Sequence, residues 1–161
     1  MTDRWLVLIH VPAGVVAVAS GATAMLVRKG GRAHRRAGLT YLTALAVVCA
    51  SGIGLAISRW PHFPHLLALG LLGAGLAGTG YAARHRPRPV RHLLGMGTSY
   101  VVMLTAFYVD NGPRLPLWRL LPPVAFWILP SLVALPLLVR AVRRHGRVGN
   151  THGGEATPQS R

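Results

Sequence analysis

The residues with the most chemical potential in this chain are histidines set in or beside apolar sequence. His10 lies five residues inside an apolar run that begins at Trp5, about 8 Å deep if the run is helical. An ionisable group at that depth is expensive in hydrocarbon and marks a place to look for function. His65 stands near the start of another apolar run, with His62 one turn earlier. Were both runs to begin on one side of a membrane, His10 and His65 would reach similar depth. Two imidazoles facing each other across a helix bundle can each offer a ring nitrogen to the iron of a b-type haem. His92 with a loop histidine, His34 or His85, would be the corresponding pair for a second haem on the other side. The same side chains can instead be tied to backbone carbonyls, one of them freed by Pro12. They can also handle protons or ions with Asp110, whose plainer role is to cap the turn before Pro113. These three readings stay open on the sequence.

Other chemistry has little to work with. No zinc-ligand spacing, catalytic triad, phosphate-binding glycine loop or paired carboxylate occurs, and no metal site is expected. Only three acids are present, Asp3, Asp110 and Glu155, which leaves few candidates for general acid–base catalysis. No catalytic residue can be assigned, and a non-enzymatic role is expected. Cys49 is the only cysteine, so no intramolecular disulfide can form.

The elements that must position these groups are apolar runs. Of the 161 residues, 52% are hydrophobic and 13% charged, where a soluble domain carries roughly 25% charged residues. The segment Arg28-Lys29-Gly30-Gly31-Arg32-Ala33-His34-Arg35-Arg36 packs five positive charges into nine residues. Nothing so polar enters hydrocarbon, so the runs on either side must end there. Spans are expected at about 5–27, 38–58, 63–83, 93–109 and 121–139. The expected fold is all-α, an integral membrane helical bundle of five transmembrane helices, forming one domain over 1–147. Arg84 to Arg91 is a second basic loop whose prolines stop any helix. Pro122 and Pro123 suit a helix start, and Pro130 and Pro136 predict kinks in the fifth span. Residues 148–161 are polar and glycine-rich and read as a disordered tail. A cleaved signal peptide ending near Ala17-Val18-Ala19 is disfavoured, because the apolar run continues to Val27 and its strong positive flank is at the wrong end.

Five spans make the two sides countable. Arg28, Lys29, Arg32, Arg35 and Arg36 fall on one side with Arg84, Arg86, Arg88 and Arg91, and with Arg140, Arg143, Arg144, Arg147 and Arg161, fourteen in all. Arg4, Arg59, Arg114 and Arg119 are the four on the other. That asymmetry places the basic loops and the C-terminus in the cytoplasm and the N-terminus outside. Trp5, Trp60, Tyr108 and Trp118 then form an outer aromatic belt. The net charge of +15 does not point to nucleic acid, because it falls in short blocks between apolar runs. The partners it implies are the bilayer and anionic lipid head groups at the basic loops. Gly70, Ala74 and Gly78, with Gly73 and Ala77 beside them, and Ala13, Ala17 and Gly21 read as small faces for close helix packing.

A wider pattern resembles a known family. Lys29-Gly30-x-x-x-His34-Arg35-x-x-Gly38-x-x-Tyr41 follows Leu8-Ile9-His10 and Gly14. Later come His92-x-x-x-Met96-Gly97-x-Ser99-Tyr100, the stretch Leu104 to Gly112, and Leu115-Pro116-Leu117-Trp118. Together these are similar to small bacterial polytopic membrane proteins of the domain-of-unknown-function 2306 family. The resemblance covers about Leu8 to Leu138. It implies a multi-pass plasma-membrane protein with no established activity, and it singles out His10, His34, Arg35, His92, Met96, Tyr100 and Asp110.

Overall fold

The computed structural model describes residues 2–58, 64–85 and 90–148, the last five of these and the first two as backbone only. Five helices carry the fold: α1 (Thr2–Leu26), α2 (Arg32–Ser58), α3 (Pro64–Ala82), α4 (Val90–Asn111) and α5 (Pro123–Val148). There is no strand among the described residues. All five helices are long and apolar enough to cross a membrane, and the chain is a multi-pass membrane protein. Leu132, Val133, Leu135 and Leu137 of α5 stand exposed, as do Val11, Val15 and Leu26 of α1. A surface that apolar belongs in lipid, where it costs nothing to leave uncovered.

The helices are longer than the apolar runs. α2 starts at Arg32, six residues before its apolar stretch, and α5 continues through Arg140 and Arg143 to Val148. Charged residues outside hydrocarbon can keep the helical hydrogen-bond ladder, so composition marks the membrane boundary rather than the helix end. Pro130 and Pro136 lie inside the continuous α5, and Pro12 lies inside α1. Val148, expected in the tail, is still helical. His62, Trp60, Arg59, the loop residues Arg86 to Pro89 and the tail 149–161 lie outside the described residues.

α1 packs along α2 and α3 along α4, α3 also meets α2, and α5 lies against α4. Among the described residues no Cα of α2 comes within 8 Å of one in α4. The slot between those two helices is filled by side chains. Its core is Ala17, Tyr41, Ala44, Leu45, Ala77 and Met103. Small residues set how closely backbones approach. A Cβ on Gly95 would meet Gly80 Cα at 2.5 Å, so α3 and α4 touch there backbone to backbone. The buried face of α3 is therefore Gly73, Ala77 and Gly80. The expected Gly70, Ala74 and Gly78 face is not the packed one: Ala74 and Gly78 are exposed, and a Cβ on Gly70 or Gly78 would meet nothing within 4 Å. On α1 the expected face is used, with Ala17 and Gly21 buried.

Candidate functional site

The polar side chains fall into three groups along the bundle. At the end carrying Arg28 to Arg36, His34 on the first turn of α2 reaches back to α1, its Nδ1 2.9 Å from the Ala24 carbonyl oxygen. His92 on the first turn of α4 does the same to α3, with Nδ1 2.9 Å from Gly80 O. A carbonyl only accepts, so both rings carry their proton on Nδ1, and each Nε2 is turned elsewhere. The two rings meet edge to face, centroids 6.3 Å apart and planes at 80°. Lys29 Nζ donates to the carbonyls of Ala24 at 3.0 Å and Met25 at 2.6 Å, closing the C-terminus of α1 before Gly30, whose φ of 78° requires glycine. Partial shielding lowers the Lys29 pKa below its ordinary value by penalising the ammonium. Arg35, singled out beside His34, is exposed. Met96, one turn from His92, packs against the core.

The middle group was not legible as a group. Ser99 Oγ donates to Met96 O at 2.8 Å, so the Tyr41 hydroxyl, 2.9 Å away, is the donor to Ser99. Tyr100 donates to Val18 O at 3.1 Å, joining α4 to α1. The Tyr41 and Tyr100 rings lie 5.9 Å apart. Both lean on Gly21, where a Cβ would meet Tyr100 Cε2 at 2.5 Å and Tyr41 Cδ2 at 3.1 Å. The resemblance singled out Tyr100, but Ser99 is a small hydroxyl in an apolar helix and gave no separate signal. Cys49 adds a weaker tie, its Sγ 3.4 Å from Gly70 O on α3.

At the far end, His10 Nδ1 lies 2.9 Å from Ser51 Oγ on α2. Ser51 spends its proton on the carbonyl of Val47 at 2.6 Å, so His10 donates. Gly52 clears the space for the ring: a Cβ there would stand 3.4 Å from His10 Cε1. Asp110 Oδ2 accepts a long hydrogen bond of 3.4 Å from Asn111 Nδ2. His65 faces the other way, its ring 5.9 Å from that of Trp127 on α5. His10 is thus tied to α2 through Nδ1, and the His65 ring lies against α5. Tyr108 and Trp118 stack at 4.5 Å at this end, and Trp5 is 68% exposed, as an interfacial belt requires.

The three groups do not join into one path. From Tyr41 to Ser51 is ten residues along α2, about 15 Å, and the space between holds Ala44, Leu45 and Met103. No cluster of three His, Cys, Asp or Glu occurs among the described residues. Every fully buried side-chain nitrogen and oxygen among them has a hydrogen-bond partner within the protein. What the arrangement does chemically is hold helices together: His10–Ser51, His34–Ala24, His92–Gly80, Tyr41–Ser99 and Tyr100–Val18 each cross from one helix to another. Comparison with family models, curated proteins and solved structures gave no match.

Proposed function

We propose that this chain is a non-enzymatic, accessory protein of a bacterial plasma membrane, with its N-terminus outside and its basic end in the cytoplasm against anionic lipid. The observation that supports it is the meeting of His34 with His92. It puts the starts of α2 and α4 at one end of the bundle, with Arg28, Arg32, Arg84 and Arg91, where the cytoplasmic bias of Arg and Lys applies. The buried polar groups are spent on ties between helices, which suits a scaffold. The resemblance to small bacterial polytopic membrane proteins agrees with this reading.

The test is single-cysteine labelling in intact cells, in a Cys49→Ser background. A cysteine at Ala33 should be unreactive to an impermeant reagent until the membrane is opened, and one at Thr2 should react at once. The reverse pattern would sink the orientation. A Soret band in the purified protein that disappears in His10→Ala would replace the accessory role with haem binding. Proton flux in liposomes that falls in Asp110→Asn would replace it with conduction.

A further inference from the structure

On the outer side of the Gly80–Gly95 contact, α3 and α4 diverge and leave a groove of about 450 Å³. Its walls are Leu76, Thr79 and Ala82 from α3, Ala83 just beyond it, and Leu94 and Thr98 from α4, with Arg91 at the basic end. Thr79 turns its hydroxyl back onto Leu76 O at 3.0 Å, so the α3 wall offers no free donor. The groove runs seven residues along each helix, about 10 Å, from the charged end into the apolar layer. Its volume is that of a single fatty acyl chain. Arg91 stands at its mouth, and Arg28, Arg32, Arg84, Arg140 and Arg143 lie at the same end of the bundle, while Asp110 belongs to the opposite end. A zwitterionic head group would gain little from such a field, and a phosphate of net negative charge gains at every arginine.

We propose that this groove is a binding site for one anionic glycerophospholipid, with an acyl chain between α3 and α4 and its phosphate on Arg91. The site deepens the anionic-lipid contact of the proposed function and rests on that reading for which leaflet supplies the lipid. It does not depend on the reading for its chemistry.

The test is native mass spectrometry of the full chain, extracted in mild detergent and exchanged with phosphatidylglycerol or phosphatidylcholine of equal chain length. Wild type should retain one phosphatidylglycerol in preference to phosphatidylcholine. Arg91→Gln should weaken that retention about fivefold, the share of one surface arginine, while Arg119→Gln at the opposite end leaves it unchanged. Thr79→Phe, which fills the groove from its exposed wall, should expel both lipids, and circular dichroism shows whether it folds. Equal retention of the two lipids by wild type, or undiminished phosphatidylglycerol in Arg91→Gln, overturns the proposal. Labelling at Ala33 separates the two readings. A basic end found outside removes the orientation and leaves the lipid result to decide the site. Lipid preference lost with the basic end inside removes the site alone.

Discussion

His34 and His92 belong to helices whose backbones do not approach within 8 Å, yet their rings meet at 6.3 Å. Each is held from behind by a carbonyl of the preceding helix, Ala24 for one and Gly80 for the other. The contact therefore joins two helix pairs through four groups. Replacing either histidine with Ala should destabilise the protein by about 1 kcal/mol, the net worth of one hydrogen bond. The double variant should lose less than the sum, with a coupling of about 0.5 kcal/mol or more. Thermal unfolding of the four proteins in one detergent measures it, and strict additivity would mean the rings do not interact.

The α3–α4 seam gives a sharper contrast. Gly95→Ala places a Cβ 2.5 Å from Gly80 Cα, and backbone cannot step aside, so a loss of about 1–3 kcal/mol is expected. At Gly78 a Cβ meets nothing within 4 Å, and Ala there should gain up to about 1 kcal/mol of helix preference. The same unfolding assay ranks the two. Equal effects would contradict the packing face described.

Ser51→Ala removes the hydroxyl acceptor of the half-buried His10 imidazole. An unsatisfied buried donor costs about 1–3 kcal/mol. Ser51→Thr keeps the hydroxyl and should recover most of that. Tyr41→Phe, which leaves Ser99 its bond to Met96, should cost less, about 0.6 kcal/mol, the average for a bond between membrane helices. Chemical or thermal denaturation curves order the three.

Lys29 is the only lysine in the chain, so acylation followed on the peptide that carries it reports one side-chain amine. Its midpoint should lie below 10.5, because shielding disfavours the charged form. With the folded value below the unfolded one, the unfolded chain holds more proton between the two, and stability rises with pH across that interval. The rate of acylation against pH gives the midpoint. A value at or above 10.5 would mean the two carbonyl bonds outweigh the shielding.

Much of the architecture was readable because membrane insertion needs runs of apolar residues with charges between them, and Arg28 to Arg36 is a boundary no helix pair can bury. The ends of α2 and α5 were not readable, since arginines outside hydrocarbon extend a helix as well as they end a span. On α3 two neighbouring sets of small residues suit close packing, Gly70, Ala74 and Gly78 beside Gly73 and Ala77, and the second set, with Gly80, is the buried one. Only the partner helix distinguishes them. At the far end His10 is marked by its depth alone. Its real partner, Ser51, was invisible, because a serine that can satisfy itself on its own helix carries no penalty to betray it. The pairing of His34 with His92 had been considered, but only as a remote ligand set.

One consequence follows from the slot between α2 and α4. Two hairpins, α1–α2 and α3–α4, each have continuous backbone contact within themselves, while a smaller α2–α3 contact, Tyr41, Ser99, Tyr100 and the two histidines stitch the first to the second. Insertion and docking are then separate events during biosynthesis: each hairpin can settle in the bilayer as it leaves the translocon, and the stitches close last. A lesion at a stitch yields chains that are threaded correctly yet joined loosely, the kind of defect that quality-control proteases recognise and that topology assays miss.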